Sequence, residues 1–149
     1  MISTLLDSNV IIAAVAEAHE HHRDSLAVFS GGKSELAVGG HSYAEAFCTL
    51  TRRGDHAPFK FTPDEAWGAL ESIRAATVLV GLTPAQVFDT ARQYARSGGI
   101  GARIYDKLIG EAALVHNIPV LVTWNVGHMR GLFPSLTIRT PTQFLKARR

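Results

Sequence analysis

Residues 2–15, ISTLLDSNVIIAAV, constrain this chain more than any other stretch. A short apolar run suited to a buried strand meets Asp7-Ser8-Asn9 and resumes as an apolar helix with no turn residue between. Asp7 therefore falls at the carboxyl end of the first strand and the amino end of the first helix. Open α/β sheets place their ligands at that edge. A carboxylate there has two uses. It can cap the helix, a task that Ser8 could also serve, or it can hold a cation or a reacting group in the crevice above the sheet.

The alternation continues. Residues 18–23 are polar and carry His19, His21 and His22, and residues 24–30 predict a second helix stopped at Gly31-Gly32. The histidines have no cysteine partner and sit on an expected turn, which argues against a metal site. Residues 35–38 predict a strand closed by Gly39-Gly40, and residues 42–53 a helix. Within that helix Glu45 follows Ser42 at the spacing of a capping box. One start signal then recurs in Thr62-Pro63-Asp64-Glu65, Thr83-Pro84-Ala85-Gln86 and Thr140-Pro141-Thr142-Gln143, each with Thr at the cap, Pro first in the helix and Glu or Gln third. Between the first two, residues 77–81 predict a strand. The second helix reaches about Ser97 and stops at Gly98-Gly99. Residues 104–116 predict a further helix, 120–123 a buried strand and 136–139 a last one. Trp67, Phe88 and Tyr94 are expected in the core, and Cys48 as a buried small hydrophobe rather than a nucleophile. Any apolar surface left open in the middle segment would suit a dimer or a partner helix.

Helices alternating with short, non-alternating apolar strands imply an α/β fold, with a mostly parallel sheet covered on both faces. Residues 1–149 read as a single domain, with no linker, repeat or low-complexity tract. A chain of this length buries roughly two-thirds of its unfolded surface. Its composition of 46% hydrophobic and 19% charged residues excludes a disordered chain. One cysteine excludes an internal disulfide. No apolar run nears the ~18 residues of a membrane span, and no signal peptide is recognisable, so a cytoplasmic location without membrane is expected. The formal charge of +2 is too small to establish a nucleic-acid partner. Arg52, Arg53, Arg103, Lys107, Arg130, Lys146, Arg148 and Arg149 nonetheless all lie near element ends.

Three acids fall at comparable places, at or near the start of a helix: Asp7, Glu45 and Asp106. Each alone could be a first-turn acid answering the helix dipole. Asp106, however, follows a glycine-rich stretch and belongs to a largely apolar helix, which has little reason to carry an acid unless that end opens on a site. Gly110, one turn on, is expected to leave space there. Acids gathered at one edge of a parallel sheet make a hard-oxygen site suited to Mg²⁺ or Mn²⁺. Such an ion activates water and neutralises charge on a phosphodiester, so hydrolysis is the natural reaction.

The fragments LLDSNVIIA (residues 5–13), HSYAEAFCTLTR (41–52) and IYDKLIGEAALVHNIPVLVTWNVGHM (104–129) together resemble the PIN-domain ribonucleases, and among them the toxins of the virulence-associated protein C (VapC) type. The resemblance implies a PIN-like three-layer fold with about five parallel strands, metal-dependent endoribonuclease activity on RNA, a cognate antitoxin and a homodimer. It makes Asp7, Glu45 and Asp106 the counterparts of the family's acidic residues. The chain departs from it at Asn125, where many relatives carry a fourth acid. Some toxin-like members share this Asn with a His three residues on, as in Asn125 and His128. On this reading Asp7 and Asp106 ligate the ion, and Glu45 orients or deprotonates the attacking water. Asn125 and Thr123 hold the scissile phosphate or a water on the ion. Arg103 and Lys107 contact phosphate, and Asn9 fixes Asp7. Turn chemistry for Asn125 and a surface or core position for His128 are the plainer uses. The competing functions are a catalytically silent PIN-like module that binds RNA or protein and an aspartyl-phosphate enzyme with Asp7 as nucleophile.

Overall fold

The structure, a computed structural model, describes residues 1–31 and 35–148. Gly32 of the expected glycine stop and Arg149 of the basic terminus lie outside them. In chain order the elements are β1 (Thr4–Leu6), α1 (Ser8–Val15), α2 (His22–Ala27), β2 (Leu36–Gly39), α3 (Gly40–Thr51), α4 (Pro63–Ala75), β3 (Val78–Val80), α5 (Pro84–Arg96), α6 (Ile104–Val115), β4 (Val120–Val122), α7 (Val126–Leu132), β5 (Thr137–Arg139) and α8 (Pro141–Ala147). Short 3-10 turns at Val28–Gly31 and Gly101–Arg103 lead out of α2 and into α6.

The strands form one wholly parallel sheet in the order β3-β2-β1-β4-β5. Leu5 of β1 lies opposite Ala37 of β2 and Leu121 of β4. With Ile138 these side chains enter one core, beside Ile109 of α6 and Met129 of α7. Their neighbours Leu6, Val38 and Val122 point the other way, to Ile11 of α1, Leu50 of α3 and Leu70 of α4. Both faces of the central strands are thus buried, which is why their sequences run apolar without alternation. Each such side chain contributes about 1.5–3 kcal/mol by leaving water. The result is a three-layer α/β/α fold.

The three recurring start signals all form capping boxes. Thr62, Thr83 and Thr140 accept the backbone N–H groups of Glu65, Gln86 and Gln143, whose side chains accept the cap N–H in return. Elsewhere the expectations need correction. Helix α3 begins at Gly40, with Gly39 as its cap, so Ser42 is buried inside the helix and makes no box with Glu45. Ala46 and Leu50 take the core side of α3, which turns Cys48 outward and leaves it exposed. Trp67 and Phe88 are 52% and 66% exposed rather than core. Trp67 lines a groove with Leu79 of the edge strand β3, where Val78 is exposed as well. Tyr94 is half-buried, and its hydroxyl donates to the Ile100 carbonyl, so it pins the glycine loop instead of filling the core. Helix α7, short and carrying two glycines, was not expected at all.

Candidate active site

The chain runs from β1 to β2 and β3 on one side, then returns to place β4 and β5 on the other. The switch point of the sheet lies between β1 and β4, where a crevice opens beyond the strand ends. Strand β1 delivers Asp7 to it, and β4 delivers Thr123 and Asn125.

Asp7 is 2% exposed. One carboxylate oxygen, Oδ1, accepts the Ser8 N–H at 2.6 Å and the Ser8 hydroxyl at 3.3 Å, so Asp7 does cap α1. The other, Oδ2, accepts the Thr123 hydroxyl at 2.8 Å and Asn9 Nδ2 at 3.3 Å. Thr123 is fully buried, and its Oγ1 also accepts from Asn9 Nδ2 at 3.1 Å and the Asn125 N–H at 3.0 Å. With its hydroxyl so occupied, Thr123 orients Asp7 and is not free to meet a phosphate. Asn9 accepts the Trp124 N–H at 3.1 Å and so ties the loop after β4 to the start of α1. Asn125 starts α7 without capping it, and its side chain is exposed beside this network.

Helix α3 brings Glu45 and helix α6 brings Asp106. Because α3 starts before Ser42, Glu45 sits in the second turn with its Oε1 3.0 Å from His41 Nε2. Asp106 Oδ2 stands 3.1 Å from His128 Nε2 of α7. Burial pushes Asp7 up to about 6, with the charge of Asp106 adding to it, against the hydrogen bonds from Thr123 and Ser8. Burial, then the charges of Asp7 and Asp106, push Glu45 up to about 7. Asp106 is also raised by burial, against the pull of His128 and Arg103. The three acids therefore share one electrostatic field, although they arrive from three separate elements.

Arg103, Lys107 and His128 line a common cleft beside Asp106 with the 97–100 loop. Lys107 Nζ lies 4.7 Å over the Phe133 ring, which holds its charge to one side. Gly110 does not open the site, because a methyl there would collide with the Phe133 ring that already fills the space. Two side chains at the site were missed. His41 stacks on Tyr105 with centroids 5.1 Å apart and planes 22° apart, beside Glu45 and Asp106 respectively. The spacing of His41 four residues before Glu45 was the available signal.

These residues fit a hard divalent ion. The donors are carboxylate oxygens, and their pKa values are raised by burial and, for Asp7 and Glu45, also by neighbouring carboxylate charge, which a cation would offset. Glu45 Oε1 and His128 Nε2 are buried atoms whose short contacts, to His41 and Asp106 respectively, lack hydrogen-bond geometry. Among the described residues no group of three or more His, Cys, Asp or Glu side chains is close enough to hold an ion by itself.

No curated protein matches this chain in sequence. Solved structures do match in fold. DNA-bound VapBC from Salmonella typhimurium is similar at 17% identity and a TM-score of 0.64, over 95% of this chain and 99% of that one. VapBC-1 from nontypeable Haemophilus influenzae is similar at 19% identity and a TM-score of 0.63, over 95% and 99%. VapC20 from Mycobacterium tuberculosis, described as a sarcin-ricin loop cleaving toxin, is similar at 15% identity and a TM-score of 0.62, over 80% and 87%. A family model extends from the first strand to the turn into α7. Residues 4–126 match the PIN domain, and the chain belongs to the PIN-domain family.

Proposed function

We propose that this chain is a metal-dependent endoribonuclease acting as the toxin of a toxin-antitoxin pair, which cuts RNA to restrain translation or growth. The observation that carries the reading is the convergence of Asp7, Glu45 and Asp106 at the switch point, each with a raised pKa. The VapC and VapBC structures that share the fold support the toxin assignment and a cognate antitoxin.

Asp7 and Asp106 would hold Mg²⁺ or Mn²⁺, which would neutralise charge on the phosphodiester and acidify water. Glu45, poised at about 7, takes the proton of the attacking water near neutral pH. Asn9 and Thr123 keep the Asp7 carboxylate in one orientation. His128 favours the ionised form of Asp106. The Asn125 amide donates to a phosphate oxygen, and Arg103 and Lys107 balance the charge of the RNA backbone. Without a cation, the acids themselves repel RNA. Trp67 and Leu79, exposed along one groove at the sheet edge, suit a homodimer. Among the described residues no helix is long and apolar enough to cross a membrane, and the reading places the protein in the cytoplasm with its RNA.

The test is cleavage of total cellular RNA with Mg²⁺ or Mn²⁺ and with EDTA, comparing wild type with folded Asp7→Asn and Asp106→Asn. Discrete cuts lost in EDTA and in both variants support the reading. Identical behaviour of all samples overturns it in favour of a silent binding module.

A further inference from the structure

Glu45 has to meet water, and its two oxygens are not equally placed to do so. Oε1 is buried and stands 3.0 Å from His41 Nε2. The Glu45 side chain as a whole is 31% exposed, so Oε2 is the oxygen left for the crevice. A long side chain gives up rotamer freedom to keep one orientation. Something must hold it.

His41 is placed for that task. Gly39 caps α3 and the helix begins at Gly40, so His41 lies in the first turn and Glu45 one turn later on the same face. Burial lowers the His41 pKa, and the positive end of the helix opposes an imidazolium as well. The ring beside Glu45 is therefore a neutral imidazole, and the tautomer that suits a carboxylate carries its proton on Nε2. Contacts of this kind are commonly misaligned without substrate and tighten in the reacting complex.

The ring is itself held from α6. Its stacking partner Tyr105 immediately precedes Asp106, so the stack joins the helix start that carries Glu45 to the one that carries Asp106. His41 also lines an apolar cavity of about 270 Å³, walled by Val80, Leu82, Leu108 and Ile109. None of those side chains can hydrogen-bond an imidazole, and the space would let an unstacked ring turn away from Glu45. His128 stands beside Asp106 at a similar distance but is 16% exposed, against 42% for His41. Burial holds the one ring, whereas the other needs Tyr105.

We infer that His41 is a positioning residue for Glu45: its Nε2–H holds Oε1 so that Oε2 faces the attacking water, and Tyr105 fixes the imidazole by stacking. The inference rests on the ribonuclease reading. The proton taken from the water stays on Glu45 in that step, and His41 neither gains nor loses one.

The experiment is steady-state cleavage, with Mg²⁺, of a random-sequence RNA pool carrying a fluorophore and a quencher. His41→Phe keeps a ring against Tyr105 but has no donor, whereas His41→Gln keeps a donor. Tyr105→Leu keeps apolar volume without an aromatic face. Both positions are exposed, so each variant should fold, as its melting temperature will show. His41→Phe is expected to lower kcat by roughly 10- to 100-fold, the worth of a hydrogen bond to a charged group, with KM unchanged. His41→Gln should recover most of that loss. Tyr105→Leu should also lower kcat, and His41→Phe/Tyr105→Leu should be no slower than His41→Phe, because Tyr105 acts through the imidazole. Calorimetry should find equal Mn²⁺ affinity in wild type and His41→Phe. Unchanged kcat in His41→Phe, no recovery in His41→Gln, or additive losses in the double variant overturns the inference. So does loss of Mn²⁺ binding in His41→Phe, which would make His41 a support of the ion instead. If wild type cuts RNA while any of these results appears, only the role of His41 is lost. If wild type cuts no RNA with Mg²⁺ or Mn²⁺, the ribonuclease reading falls and takes that role with it.

Discussion

The helix starts of this molecule fall into two groups. At α4, α5 and α8 a Thr and a Glu or Gln satisfy the first N–H groups reciprocally at exposed positions. At α3, α6 and α7 no side chain caps the helix, and α1 is capped only by an acid that also bonds Thr123 across the crevice. The carboxylates titrate in opposite senses. Glu65, hydrogen-bonded to the Thr62 N–H, has its pKa lowered. Asp7, Glu45 and Asp106 have theirs raised by burial. A local motif that satisfies itself leaves nothing for a ligand. Helix ends left open around buried acids leave charge for a cation and a phosphate to complete.

Substitution at the two kinds of start should therefore separate activity from stability. Asp106→Asn should lower metal-dependent turnover by at least roughly 100-fold, with the melting temperature in EDTA no lower than wild type. An equal loss of turnover in Thr83→Ala would break the comparison.

The pH dependence follows from the raised acids. A folded state that keeps its proton where the unfolded chain has released it binds more protons, so its stability falls as pH rises through that window. For Asp7 the window runs from 3.8 to about 6, worth up to about 3 kcal/mol. Denaturant unfolding in EDTA should show wild type losing stability relative to Asp7→Asn across that range, with Mg²⁺ restoring it at neutral pH. A flat difference would remove the electrostatic half of the comparison.

Smaller effects sharpen the packing side. Gly110→Ala drives a methyl into the Phe133 ring and should cost about 1–3 kcal/mol, read as a lowered unfolding midpoint. Thr83→Ala removes one cap and should cost about 1 kcal/mol, a melting shift of roughly 2–4 °C, with turnover per folded molecule unchanged.

The same division explains what could be read from the sequence. Capping boxes are written within four consecutive residues, so the starts of α4, α5 and α8 were legible. The junction at Asp7 was legible too, because strand, acid and helix are contiguous there. Ser42 and Glu45 carry the same local spacing, but the helix starts earlier on Gly39 and Gly40, residues that read as a stop. That shift of two residues is what frees Glu45 for the crevice. Helix α7 has no start signal and two glycines, and it is held by Met129 in the core rather than by propensity. The exposure of Trp67 and Phe88 depends on which strand forms the sheet edge, and strand order is not written in local sequence. The pairing of His41 with Tyr105 joins residues distant in the chain, so only the fold reveals it.

If Asp7, Glu45 and Asp106 form a cation site and are not merely acids at helix ends, a divalent ion must bind them. Calorimetric titration of Mn²⁺ into metal-free wild type and Asp106→Asn, near pH 6 in two buffers of different ionisation enthalpy, tests it most directly. Saturable binding to wild type with proton release is expected, since Asp7 and Glu45 are partly protonated there, and loss of that binding in Asp106→Asn. Absence of binding to wild type, or equal binding by both proteins, would contradict it.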